Sequence, residues 1–268
     1  MSWLNQFFTF RERTDSESVK PFLDHMEDLR WMLIKMILWL VASMTVAFFF
    51  REDLMRVLQA PLAKVDPELP GQLVTHKIAG SFTLSLTMAF YAGIVVSLPF
   101  LLYHLAEFVL PALTRREKKF LLPGIVLGTG LFVCGVLASY HWILPETLAF
   151  FFEDAKKMQM KSLWTWSEYA SFCSWMTIGF GLLSELPVAV LALALLGIVS
   201  FELLSKTRPY GYTLIMVLTA VVAPTPDPVT FLFLCLPVIV LFEICIWLVW
   251  LIGRRRAKSG PSLEEFPE

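Results

Sequence analysis

Glu185 is the ionisable residue whose position in the sequence most strongly suggests a function. It lies in the middle of a long apolar segment, within the run GFGLLSELP at residues 179–187. A charged side chain at the centre of a membrane helix costs about 2.5 to 3.5 kcal/mol on insertion scales, so such residues are functional candidates. Pro187 removes a backbone hydrogen bond and can bend the helix beside the carboxyl. The pattern predicts either a docking site or a hydrogen-bonded packing residue.

Three further ionisable residues in apolar segments are weaker candidates. Glu243 lies in the last apolar segment, and His104 and Glu107 are one helical turn apart near the end of the second. That spacing favours a structural pair between His104 and Glu107. The sequence has no HExxH, GxSxG or phosphate-binding glycine loop, and its four cysteines show no CxxC or metal-ligand spacing. It therefore predicts no catalytic residues, no metal and no cofactor.

An acidic segment precedes the first apolar segment. Residues 18–30 have the pattern of an amphipathic helix that enters the membrane. Its apolar face consists of Phe22, Met26, Leu29 and Leu33, and its acidic face of Asp24, Glu27 and Asp28. A second candidate is Glu117, which has four cations around it in the loop at residues 110–119. The acidic face could bind a cationic ligand or be only solvated, and the loop could be only a topology signal.

The elements that must position these residues are membrane helices. The chain is 57% hydrophobic and 17% charged over 268 residues, which a soluble domain of this size rarely is. A bilayer core about 30 Å thick needs about 20 apolar residues in a helix, and this test predicts six spans. They lie at about residues 31–50, 82–110, 120–144, 169–199, 210–223 and 229–252. The fifth is short because a proline-rich stretch ends it, and it forms a hairpin with the sixth.

The distribution of lysine and arginine predicts that both ends of the chain are cytoplasmic. With the N-terminus inside, fourteen of these cations flank the spans on the cytoplasmic side and seven on the other. The outer loops at residues 51–80 and 145–168 mix aromatic and charged residues with prolines, so we expect ordered caps. We expect one membrane domain, with residues 1–30 and 253–268 cytoplasmic and 31–252 forming the spans, and no cleaved signal peptide.

Short motifs along nearly the whole chain resemble the TatC family, the large membrane subunit of the twin-arginine protein translocase. They occur in the family's order and on the expected sides of the membrane. They are FLDHMEDLR at 22–30, APL at 60–62, PFLLY at 99–103, FVLPAL at 108–113, EKK at 117–119, FG at 180–181, ELP at 185–187, RPY at 208–210 and PD at 226–227. The resemblance implies a glove-shaped, concave, all-α bundle of six helices with short fifth and sixth helices.

The resemblance also implies a receptor in the bacterial inner membrane that binds twin-arginine signal peptides of folded cargo proteins, in a process driven by the proton-motive force. The signal-peptide site would be formed by Glu27, Asp28 and Arg30 together with Phe108 and Glu117. Asp28 stands where the family usually has glutamate. Glu185 would contact single-span TatA- and TatB-type partner subunits, and Pro61, Pro187 and Asp227 would belong to the same set of intramembrane and partner contacts. Self-association is expected, and nucleic-acid binding is not.

Two other functions remain open on the residues alone. A small proton- or ion-coupled transporter could use Glu185 and Glu243, although no internal repeat or polar pathway at the membrane midplane is visible in the sequence. An intramembrane enzyme would need a nucleophile with a base, or paired carboxylates, and Glu185 has no obvious catalytic partner. A proton-flux assay without cargo separates the transporter from the receptor.

Overall fold

The computed structural model describes residues 22–112, 118, 121–160, 164–195, 199–222 and 228–258, and these are almost entirely helical. The helices are α1 (Phe22–Phe49), α2 (Arg51–Val65), α3 (Leu69–Gln72), α4 (Gly80–Val109), α5 (Leu121–Ala138), α6 (Leu144–Lys157), α7 (Trp166–Leu195), α8 (Phe201–Lys206), α9 (Arg208–Val222) and α10 (Pro228–Lys258). A π-helical turn, Ser139–Ile143, joins α5 to α6. Within the described ranges, β-pairing is limited to a single bridge between Val74 and Thr165. The predicted all-α fold is confirmed.

Five helical segments among the described residues are long and apolar enough to cross a membrane. They are His25–Phe49, Gly80–Val109, Leu121–Lys157, Trp166–Ala194 and Leu234–Leu251. They correspond to the predicted spans one to four and six. The predicted fifth span corresponds to α9, which has 15 residues and is about 22 Å long. Its short length is confirmed, whereas its crossing of the membrane, and so the count of six spans, stays a prediction.

The sixth helix is longer than expected. The resemblance implied a short helix here, but α10 has 31 residues. Pro228 suits its first position, because the missing backbone N–H would have no partner in the first turn. At the other end, the cations from Arg254 onward favour continuation of the helix, since its C-terminus carries partial negative charge. The helix therefore continues beyond the apolar segment that the sequence marks out.

The packing of the helices is centred on α7. It contacts α4, α5, α9 and α10, whereas α1 packs along α4. No extensive packing joins α1 to α9 or α10 among the described residues. The bundle is therefore open on one side, as expected for a concave shape. Exposed apolar side chains such as Leu38, Val126 and Leu232, each more than 60% exposed, are in keeping with contact with lipid.

The predicted ordered caps are confirmed. The helices α2, α3 and α6 cover one end of the bundle, and their apolar residues join its core. Leu62 is fully buried and Leu144 is 1% exposed. The Tyr169 hydroxyl at the start of α7 donates to the Leu58 carbonyl of α2 at 2.7 Å. This hydrogen bond and the shared core fix the cap to the membrane helices.

Pro61 leaves a carbonyl group of the cap without its usual helical hydrogen bond. It lies inside α2 and has no N–H to donate to the carbonyl of Val57, four residues earlier. The Tyr140 hydroxyl in the π-helical turn donates to that carbonyl at 2.7 Å. Tyr140 therefore supplies the hydrogen bond that the proline removes from the helix.

A double-mutant cycle tests this compensation. We expect Tyr140→Phe to lower the free energy of unfolding by about 1 kcal/mol, because it leaves the Val57 carbonyl without its donor. In a Pro61→Ala background the same change is expected to cost almost nothing, since the N–H of residue 61 can then bond to Val57. Unfolding in mixed detergent–SDS micelles measures all four proteins. An equal cost in both backgrounds would contradict the compensation.

Candidate functional site

The acidic residues of the N-terminal segment lie in the first two turns of α1, which continues unbroken into the first span. Glu27 and Arg30 are exposed and form an ion pair of 3.6 Å, and Asp28 is partly buried. An exposed pair of this kind contributes only about 0 to 1 kcal/mol. Glu27 can therefore exchange Arg30 for another guanidinium at little cost. The predicted helix started at residue 18, and residues 18–21 lie outside the described ranges.

Two residues of the apolar face predicted for this segment are exposed, and a third, Leu29, is partly buried. Met26 and Leu33 are each 47% exposed. Met32, which was not assigned to that face, is buried at 9% exposure. A helix that enters a bilayer can leave apolar side chains facing lipid, and amphipathic periodicity does not distinguish lipid from protein.

Phe108 connects the end of α4 to the acidic turn of α1. Its ring stacks on His25 with a centroid distance of 4.4 Å and an interplanar angle of 18°. His25 is two residues from Glu27 and three from Asp28. The end of α4 leads into the loop that carries Glu117, which itself lies outside the described residues. The contact thus places Phe108 beside the acidic turn, and their membership of one binding site, which the family resemblance implied, stays a prediction.

An ionic cluster joins the same two helices, with His104 buried, Glu107 partly buried and Lys35 exposed. The Lys35 Nζ lies 3.5 Å from Glu107 Oε2, and His104 Nδ1 lies 3.1 Å from the same oxygen. The structural pairing of His104 with Glu107 is confirmed. Lys35 was missed by the sequence analysis, although it is the one cation within the first apolar segment. The sequence nevertheless contained a signal for this pair. Lys35 is a single cation in an apolar segment, and the next helix, which runs antiparallel, carries a carboxylate at Glu107.

Glu185 lies on α7 against α5. A β-carbon built at Gly128 would lie 2.9 Å from Glu185 Oε2 and 3.1 Å from Leu102 Cδ1. Gly128 thus makes room for the carboxyl. The Oε1 atom is buried and has no hydrogen-bond partner among the described residues. The packing interpretation requires a hydrogen bond from the carboxyl to a neighbouring helix. The described part of the chain supplies none to Oε1.

The prolines assigned to partner contacts are both buried. Pro187 is buried in α7, and its carbonyl oxygen accepts a hydrogen bond from the Cys245 Sγ of α10 at 2.7 Å. Pro61 is fully buried in the cap. These positions give both residues packing roles within the chain, and contact with a partner stays a prediction. Asp227 lies outside the described residues.

Glu243, by contrast, has partners within the chain. Its carboxylate accepts a hydrogen bond from the Tyr212 hydroxyl of α9 and lies 3.6 Å from the Arg208 Nη2. The contacts connect the short helix α9 to α10. They account for a carboxylate in the last span as a structural link between the two helices of the predicted hairpin.

Comparison with known proteins identifies the family. The model of the family described as Sec-independent protein translocase protein (TatC) matches residues 24–237. The TatC protein of Deinococcus radiodurans is 34% identical over 229 residues, which cover 84% of this chain and 83% of that protein. The one from Koribacter versatilis is 30% identical over 262 residues, covering 95% and 96%. The Akkermansia muciniphila protein is 38% identical over 189 residues, but this chain covers only 54% of its length.

The fold agrees with this assignment. A crystal structure of the twin-arginine translocase receptor TatC has a TM-score of 0.71 and 28% sequence identity to this chain, covering 85% of it and 98% of the solved chain. A second structure of the receptor, in DDM, gives a TM-score of 0.72 at 26% identity. This chain therefore belongs to the TatC family of protein translocase proteins, and it is a multi-pass membrane transport subunit and not an enzyme.

Proposed function

We propose that this chain is the receptor and core subunit of a twin-arginine translocase and binds the twin-arginine signal peptides of folded cargo proteins. The observation that carries the proposal is the stacking of Phe108 on His25. It supports a single site because it joins the acidic turn of α1 to the end of α4, just before the loop with Glu117.

The chemistry of the residues fits a pair of arginines. A guanidinium is a planar fork with five N–H donors, and a carboxylate can accept two of them in parallel. Asp28 and Glu117 are the two proposed acceptors. Glu27 is an additional carboxylate, and its ion pair with Arg30 is exposed and weak. Asp28 has one methylene less than glutamate, and Glu27 next to it could supply the missing reach.

Glu185 is the proposed contact for single-span TatA- and TatB-type subunits. Its Oε1 is buried and has no hydrogen-bond partner in the described part of the chain, which supports this role because a polar group from a partner helix would satisfy it. Pro187, Pro61 and Asp227 are retained in the same proposed set. For the two prolines the role would be indirect, since both are buried and would act by shaping the helices that a partner contacts.

We further propose the bacterial cytoplasmic membrane as the location, with both ends of the chain in the cytoplasm. The excess of lysine and arginine in the segments on that side supports the orientation. Self-association of the receptor and transport driven by the proton-motive force belong to the same proposal. A small ion-coupled transporter is disfavoured, because Glu243, one of its two candidate carboxylates, is already bonded to Tyr212 and Arg208.

Binding of a twin-arginine signal peptide to the detergent-solubilised full chain tests the receptor site. We expect Asp28→Asn and Glu117→Gln each to weaken binding roughly tenfold, because each removes a charge-assisted hydrogen bond. Replacing both peptide arginines by lysine is expected to weaken it at least as much, since an ammonium lacks the planar fork. Fluorescence anisotropy of a labelled peptide gives the affinities.

Glu52→Gln is the matched control, because Glu52 is an exposed carboxylate in the first turn of α2, beyond the other end of α1. It is expected to leave the affinity within twofold. Equal affinities for native chain, both site variants and the lysine peptide would refute the proposed site.

A further inference from the structure

The last turns of α10 carry a stripe of two tryptophans followed by an arginine. Trp247, Trp250 and Arg254 are spaced by three and four residues, which places them on one face of a helix. Trp247 is 56% exposed, Leu251 beside it is 46% exposed, and Arg254 is exposed. This face therefore points away from the bundle. Position 258, where the sequence has a lysine, follows at the same spacing in the same helix.

The aromatic rings hold the arginine in a defined position. The Trp247 and Trp250 rings are 5.9 Å apart at an interplanar angle of 82°. The Arg254 Cζ lies 4.5 Å above the centre of the Trp250 ring. Stacking on an aromatic face leaves the N–H groups at the edge of a guanidinium able to bind an oxyanion. Among the described residues, no ion pair to a carboxylate involves Arg254.

The depth of the stripe matches the surface of a bilayer. The apolar segment of α10 ends at Leu251, so the two tryptophans lie at its boundary, where tryptophan is enriched in membrane proteins. Arg254 is four residues beyond Trp250, or about 6 Å along the helix. This is the level of lipid phosphates when the tryptophans lie at the edge of the hydrocarbon. A free phosphate in solution would not need the apolar half of the stripe.

We propose that Trp247, Trp250 and Arg254 form a binding site for the headgroup of an anionic phospholipid. Arg254 binds the phosphate, and the tryptophans pack against the upper part of the acyl chains. A topology signal alone requires only a number of cations near the end of a span. The alignment of Arg254 with Trp247 and Trp250 on one face of the helix is the additional feature that the lipid site explains.

Native mass spectrometry of the detergent-solubilised full chain tests the site, with dioleoyl phosphatidylglycerol and dioleoyl phosphatidylcholine as probes. We expect tighter binding of phosphatidylglycerol. Arg254→Gln is expected to weaken that binding roughly fivefold. Trp250→Leu keeps the charge but removes the ring under Arg254, and we expect a loss of about two- to threefold.

Arg255→Gln and Arg256→Gln are the matched controls, because they remove the same charge at the same depth on faces roughly 100° and 200° away. Each is expected to change binding by less than twofold. Equal losses for all three arginine variants would refute a defined site in favour of general attraction to the basic end of the helix. Equal binding of both lipids, or displacement of phosphatidylglycerol by inorganic phosphate at the same concentration, would also overturn the proposal.

Discussion

Replacing Gly93 by leucine is expected to lower the free energy of unfolding by about 3 kcal/mol. Gly93 lies on α4 and faces α1, and a β-carbon built there would lie 3.0 Å from both the backbone nitrogen and the Cα of Met44. Backbone atoms cannot rotate out of the way as the end of a flexible side chain can. The larger residue must therefore push α1 away from α4. The SDS fraction at half-unfolding in mixed micelles measures the loss.

Gly124→Leu provides the control for this change. It is a glycine in another membrane helix, α5, and a β-carbon built there meets no atom of the described residues within 4 Å. We expect it to change the free energy of unfolding by no more than about 0.5 kcal/mol. If both leucine variants lost the same stability, the loss would be a general effect of a leucine added to a membrane helix and not of the contact with Met44.

The membrane helices were predictable because their signal is local. An apolar run of sufficient length must be helical in a bilayer, where each backbone group needs a partner within its own segment. The same holds for the short length of α9, since the prolines that follow it are visible in the sequence. The length of α10 was misjudged because it was taken from a family resemblance, whereas the cations after Leu251 extend the helix.

The contacts between helices were not predictable in the same way. The third span contains a GxxxG pattern, and its two glycines are equivalent in the sequence. In the structure Gly128 packs against Glu185 and Leu102, whereas a β-carbon at Gly124 would have no described atom within 4 Å. Likewise, the hydrogen bond from Tyr140 to Val57 joins residues 83 positions apart. Such pairings depend on the angle and rotation of each helix, which a single sequence does not encode locally.

In the candidate sites, too, local features were predictable from the sequence and contacts between helices were not. The acidic turn with Glu27 and Asp28 was predicted from charge patterning, and the stack of Phe108 on His25 brings it to the end of α4. Lys35 was overlooked because a single lysine in an apolar run has no partner until the neighbouring helix is known. Its pair with Glu107 then supplies a second connection between α1 and α4.

Glu185→Met is expected to raise the free energy of unfolding of the isolated chain by about 2 kcal/mol. The Glu185 Oε1 is buried without a hydrogen-bond partner among the described residues, and an unsatisfied buried polar atom costs about 1 to 3 kcal/mol. Methionine is similar in length and flexible, so it can fill the space beside Gly128 without that cost. Unfolding in mixed micelles measures the gain.

The same substitution is expected to abolish co-purification of a single-span partner subunit, because the proposed polar contact is lost. Glu185→Gln keeps the shape and can still form hydrogen bonds, so we expect it to retain part of the association and gain little stability. A residue that destabilises its own chain and yet binds a partner is retained for function. If Glu185→Met lowered stability, the carboxyl would be a satisfied packing residue. If stability rose and the partner still bound, Glu185 would not be the docking contact.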